Sequence, residues 1–192
     1  MKASPASKLL AAAALAGTVG LVAAGAGAAV TTPARPGAVP GALAKPHVVA
    51  FRATYHGTMS LLWSSSSVKV TSLVGTGTIP GVGVSTLKGT GTSSPSSTCD
   101  PFSGAATITA AKGALVLRVV SSAKQSACAS GSAAPTTVTV KGVATVVNGR
   151  GVYLAAKGSL AISGSFSIQS TAAGSKESDQ FTATLVGKLT VK

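Results

Sequence analysis

Alternation of apolar and polar side chains from Val49 to Trp63 constrains the fold of this chain more than any other feature of its sequence. The odd positions there carry Val, Phe, Ala, Tyr, Gly, Met, Leu and Trp, whereas the even positions include Arg, Thr, His and Ser. Successive side chains of a β-strand point to opposite faces, so the segment predicts a strand with one buried and one solvated face. Strands of this kind are typical of antiparallel sheets.

The same alternation recurs in two segments nearer the C-terminus, residues 159–168 and 181–191. Only 10% of the residues are charged and only three are acidic, so the chain has little of the Glu, Lys, Leu and Arg that soluble helices use. Shorter strand candidates bring the predicted total to about eight. They are residues 68–74, 82–87, 105–111, 114–121 and 137–147.

An all-β antiparallel fold of about eight strands has two ways to bury its apolar faces. The first and last strands are both strongly amphipathic, and their pairing would remove the unpaired sheet edges that invite aggregation. A closed barrel is therefore the leading prediction. A two-sheet β-sandwich is the alternative, because alternation alone does not separate the two architectures.

The N-terminus predicts export. Lys2 and Lys8 precede an apolar stretch, and small residues that fit cleavage after Ala26 or Ala28 follow it. Residues 1–28 are therefore interpreted as a signal peptide, with a retained membrane anchor as the alternative. Residues 29–46, rich in Pro, Ala and Gly, are predicted to be a linker, and residues 47–192 a single domain.

Two cysteines, Cys99 and Cys128, form an even pair in a protein predicted to reach an oxidising compartment. We expect a disulfide, which would stabilise the fold by roughly 3.5 kcal/mol in the chain-entropy model. The two histidines, His47 and His56, lie in another region, so the sequence predicts no metal site. No cofactor is predicted either.

A glycine-rich segment, Gly149-Arg150-Gly151-Val152-Tyr153-Leu154-Ala155-Ala156-Lys157-Gly158, precedes one alternating strand. It resembles the glycine-aromatic-glycine turn of allene oxide cyclase-like and dirigent-like barrels, with Arg150 in place of a small residue. The resemblance implies an eight-stranded barrel whose mouth admits a small apolar ligand. The alternative interpretation is a hairpin turn with Tyr153 packed in the core.

The ionisable side chains give little basis for catalysis. Asp100 is expected to support a turn beside the disulfide, and Glu177 and Asp179 to lie in a solvated polar loop. His56 falls on the polar face of the first strand without an acid nearby in sequence. No G-x-S-x-G motif occurs, so no catalytic residue is predicted.

Two Gly-Thr-Gly-Thr segments, residues 75–78 and 89–92, lack the lysine of a phosphate-binding loop and are interpreted as hairpin corners. The formal net charge is +13, and it becomes +11 without Lys2 and Lys8. Cations on the polar strand faces predict a positive exterior that attracts anions, although their scatter makes nucleic acid an unfavoured partner. The cations so placed are Arg52, Lys69, Lys141 and Lys188.

The sequence thus predicts a secreted or envelope-associated, non-catalytic barrel that binds an anionic envelope polymer or a small apolar molecule. Tyr55, Trp63 and Tyr153 are the candidate ligand contacts. The alternative is a cyclase- or dirigent-type enzyme that guides a reactive small molecule in the barrel cavity. The oligomeric state is not predicted.

Overall fold

A computed structural model describes residues 45–192 of the chain. The predicted signal peptide, residues 1–28, and most of the predicted linker, residues 29–46, lie outside the described residues. Every regular element in the described range is a β-strand. The ten strands are β1 His47–Trp63, β2 Val68–Ile79, β3 Gly83–Ser93, β4 Cys99–Asp100, β5 Phe102–Ala110, β6 Gly113–Val119, β7 Ser126–Ala129, β8 Thr136–Gly151, β9 Lys157–Ile168 and β10 Lys176–Val191.

Eight of these strands form a closed antiparallel ring in the order β1, β2, β3, β5, β6, β8, β9, β10. The ring closes where β1 pairs with β10 along nearly its whole length, from His47 opposite Val191 to Leu62 opposite Lys176. Pairing of β8 with β9 joins the rest of the wall. The predicted closed barrel is confirmed, and the sandwich alternative is wrong. No helix within residues 45–192 is long and apolar enough to cross a membrane.

The two short strands β4 and β7 lie outside the ring. They pair with each other, and β7 also pairs with the first part of β8. Cys99 and Cys128 are directly opposite each other in this register, and they form the predicted disulfide. Gln125 fixes the approach to β7, because its side chain donates to Val120 O at 3.0 Å and accepts from Val143 N at 3.0 Å.

The inward-facing side chains are large at one end of the ring, which we name the closed end. It holds the starts of β1, β3, β6 and β9 and the turns that follow β2, β5 and β8. Its most buried side chains are Phe51, Tyr55, Ile108, Leu115, Leu160, Leu189 and Val191. The opposite end, where β1, β3, β6 and β9 finish, is named the open end.

The turn between β8 and β9 seals the closed end. Gly151 and Gly158 have φ values of 64° and 136°, a region that favours glycine. Between them, Tyr153 is 4% exposed and its ring centroid lies 6.1 Å from that of Phe51. Packing of Tyr153 in the core is thereby confirmed.

The Gly-Thr-Gly-Thr segments do not form hairpin corners, so that prediction is wrong. Residues 75–78 lie inside β2 and residues 89–92 inside β3, and the two strands pair with each other. Glycine is needed there for close approach, since a Cβ on Gly77 would collide with the Thr54 carbonyl oxygen of β1.

Candidate functional site

A cavity of about 780 Å³ occupies the open half of the barrel and opens between the loops at that end. Its wall consists mainly of inward-facing apolar side chains. Serines and threonines of the loops after β1, β3 and β7 form its mouth. Prominent apolar wall residues are Met59, Leu61, Leu87, Leu117, Phe166 and Phe181.

The cavity exists because the inward positions of the open half carry small residues. Gly89, Gly91 and Ala106 face it from β3 and β5, and Gly164 and Ala183 face it from β9 and β10. None of the largest fully buried side chains, all of which belong to the closed half, contributes to the wall. The side chains therefore fill one half of the barrel and leave the other half empty.

The three predicted ligand contacts lie in different halves of the barrel. Trp63 lines the cavity, whereas Tyr55 and Tyr153 do not. Tyr55 is fully buried in the closed half, and its hydroxyl lies 3.0 Å from the Ser85 hydroxyl. Burial raises the pKa of Tyr55, with the hydrogen bond to Ser85 opposing that rise. Burial likewise raises the pKa of Tyr153.

Trp63 is held in place by Glu177 at the start of β10. The indole Nε1 donates to Glu177 Oε1 at 2.7 Å, while Glu177 Oε2 accepts from the backbone nitrogens of Gln169 at 2.8 Å and Ser170 at 3.2 Å. One carboxylate therefore links the tryptophan at the mouth to the loop between β9 and β10. Sequence reasoning missed this contact, which joins residues 114 positions apart.

The prediction of a solvated loop around Glu177 and Asp179 is wrong. Both residues belong to β10, where they continue the inward-facing set that includes Phe181 and Ala183. Glu177 is half-buried and Asp179 is only 7% exposed. The inward positions are polar before residue 180 and apolar after it, so the start of the strand was not recognised in the sequence. The alternation of inward and outward positions nevertheless continues through this point.

Asp179 is a poorly accommodated polar side chain of the inward face. Its Oδ2 is buried and has no hydrogen-bond partner among the described residues. Burial raises the pKa of Asp179, and the nearby Glu177 carboxylate raises it further. Both effects disfavour the charged form of this carboxyl group.

Asp100, at the mouth, is well accommodated. It accepts hydrogen bonds from the backbone and hydroxyl groups of Ser96 and Ser97 at 3.0–3.3 Å, as the predicted turn beside the disulfide requires. Burial alone would raise the pKa of Asp100, but these hydrogen bonds outweigh it and the pKa is lowered. This hydrogen-bonded turn forms one side of the cavity entrance.

Charge is nearly absent from the described cavity wall. Asp100 lines it, but no Lys, Arg or His does. His47 and His56 are both exposed, and His56 Nδ1 lies 3.1 Å from Thr182 Oγ1 on the barrel exterior. Within residues 45–192 no three metal-ligating side chains come together.

Comparisons of this chain with family models, curated proteins and solved structures find no match.

Proposed function

We propose that this protein is a non-catalytic binder of a small, uncharged, mostly apolar molecule, which it holds in the open half of the barrel. The cavity carries the proposal. Its volume of about 780 Å³ lies within the roughly 300–1,000 Å³ typical of small-molecule sites. Its apolar wall and polar mouth suit a ligand with an apolar body and one polar end.

The absence of cationic groups from the described wall supports an uncharged ligand. A carboxylate or phosphate inside an apolar cavity loses its hydration and needs a positive partner to compensate. Serines and threonines of the loops at the cavity mouth instead suit a hydroxyl or carbonyl group on the ligand.

A binding role fits the wall better than catalysis does. General acid–base chemistry needs a titratable group within hydrogen-bonding reach of the substrate. The Asp100 carboxylate already accepts several hydrogen bonds, and Tyr55 and Tyr153 lie in the packed half, away from the wall. We therefore favour binding over a cyclase- or dirigent-type reaction.

Export belongs to the same proposal. The disulfide between Cys99 and Cys128 is typical of proteins that leave the reducing cytosol, and the N-terminal sequence has the pattern of a signal peptide. A secreted or envelope-associated carrier would hold a poorly soluble molecule in an aqueous compartment.

Trp63 provides the test, because it is the only tryptophan and it lines the cavity. Titration with N-phenyl-naphthylamine, an uncharged apolar fluorophore, should quench the Trp63 emission as the probe enters. Ala106→Phe places a large ring in the cavity and should weaken binding about tenfold or more, equivalent to about 1.4 kcal/mol.

The matched control is Ala161→Phe, since this alanine is exposed on the outer face of β9 and does not line the cavity. It should bind the probe as the wild type does. Equal affinities of the two variants, or no quenching in the wild type, would exclude the cavity as the binding site. Thermal melts of both variants verify that each is folded.

A further inference from the structure

Basic and acidic side chains of the described domain differ in their exposure to solvent. Of the sixteen basic residues of the chain, all but Lys2, Lys8 and Arg35 lie in the described range, and every one of those thirteen is exposed. The three acidic side chains are buried or half-buried. The exterior of residues 45–192 therefore carries positive side chains without an exposed acidic side chain to balance them.

The closed end combines this charge with exposed apolar side chains. Six basic residues lie on it or beside it, in its turns and at the adjoining strand ends: Lys45, Lys112, Arg150, Lys157, Lys188 and Lys192. Four large apolar side chains there are 45–73% exposed: Val48, Val84, Val152 and Leu154. We name this combined set the closed-end surface.

Hydrogen bonds hold parts of the closed-end surface together. Val152 N donates to Lys112 O at 3.0 Å, and Lys192 N donates to Leu154 O at 3.0 Å. Lys112 Nζ reaches Gly81 O at 3.4 Å. The β5–β6 turn, the β8–β9 turn and the end of the chain are thus fixed relative to one another.

The strand register places Lys157 and Lys188 as near neighbours on the outer face. Lys188 is paired with Ser159, two residues from Lys157, which is itself paired with Thr190. Two lysines on adjacent strands would repel each other, and no exposed acidic side chain in the described domain offsets that repulsion. An external negative charge would relieve it.

We infer that the closed-end surface binds the anionic face of a lipid bilayer. Basic side chains are attracted to anionic headgroups, and exposed Val and Leu side chains enter the boundary between headgroups and acyl chains. A hydrated polyanion would engage the lysines, but it offers nothing to Leu154 or Val152. Attachment by this end directs the cavity mouth away from the bilayer.

Vesicle co-sedimentation tests the inference. The domain should bind vesicles of phosphatidylcholine with phosphatidylglycerol and should not bind pure phosphatidylcholine, and added salt should weaken the binding. Each lysine removed from the contact lowers the partition coefficient about fivefold. The triple variant Lys157→Ser, Lys188→Ser, Lys192→Ser should therefore bind about a hundredfold more weakly.

The control variant has the same net charge as the first triple variant, but its three substitutions lie at other positions. Lys69→Ser, Lys88→Ser, Lys141→Ser removes three exposed lysines from outside the closed-end surface, and it should retain most of the binding. Leu154→Ser should weaken vesicle binding without changing the binding of soluble polyglutamate. Equal losses in the two triple variants, or no binding of the wild type to anionic vesicles, would overturn the inference, and the first result would instead indicate a diffuse attraction to polyanions.

Discussion

At the residue scale, the two buried aspartates differ in the hydrogen bonds that their carboxylates receive. Asp100 accepts from Ser96 and Ser97, whereas Asp179 Oδ2 has no partner among the described residues. An unpaired buried carboxylate is costly to keep charged, so its protonation stabilises the fold. The turn at Asp100 was predicted from sequence, because its partners are close along the chain, whereas the environment of Asp179 depends on which side chains the strands bring alongside.

Replacing Asp179 should therefore stabilise the protein at neutral pH. The pKa of Asp179 is raised above its ordinary value of 3.8 in the folded state. The stabilisation that the protonated carboxyl group contributes is fully present below that value, and it is lost as the pH rises through the folded-state pKa. We expect Asp179→Asn to melt at a higher temperature than the wild type at pH 7, with the difference disappearing in acid.

Asp100→Asn is the control of opposite sign. The pKa of Asp100 is lowered by its hydrogen bonds, so its contribution is present above the ordinary pKa and is lost as the pH falls through the folded-state value. This variant should melt below the wild type at pH 7. Melting curves recorded from acid to neutral pH compare the two variants, and a lower melting temperature for Asp179→Asn at pH 7 would contradict the prediction.

At the scale of elements, alternation together with the turn residues between segments predicted the eight strands of the ring but not the two strands outside it. Side chains of β1 and β10 alternate between apolar and polar over many residues, so the sequence shows which of them face inward. β4 and β7 are too short to show any period, and only their cysteines marked them. The resemblance implied a ligand at the barrel mouth, but most of the residues that line the cavity escaped prediction, because the cavity depends on small residues from different strands meeting at the same level of the barrel.

Removal of the disulfide should destabilise the mouth while leaving the ring intact. The double variant Cys99→Ser, Cys128→Ser releases a loop with a sequence separation of 29, and it should lose about 3.5 kcal/mol of unfolding free energy. Because β4 and β7 lie outside the ring, hydrogen exchange should accelerate first in those strands. Equal acceleration in β1 and β10 would show that the disulfide supports the whole barrel.

At the scale of the whole molecule, the packed half of the barrel contributes most to stability, and the half with the cavity provides the binding site. Leu160 lies in the closed half and is fully buried, whereas Leu87 is also buried but faces the cavity. Truncation of a packed leucine loses both transfer free energy and the contacts around the new void. A leucine at a cavity wall already lacks neighbours on one side, so less packing is lost with it.

We therefore expect Leu160→Ala to cost about 4–5 kcal/mol of unfolding free energy and Leu87→Ala about 2–3 kcal/mol, within the range of such substitutions. Binding of the apolar fluorophore should respond in the opposite order, because only Leu87 contributes to the wall. Denaturant unfolding and probe titration of the two variants measure both effects. Equal losses of unfolding free energy in the two variants would mean that the open half is packed as tightly as the closed half. This result would contradict a binding cavity in the open half.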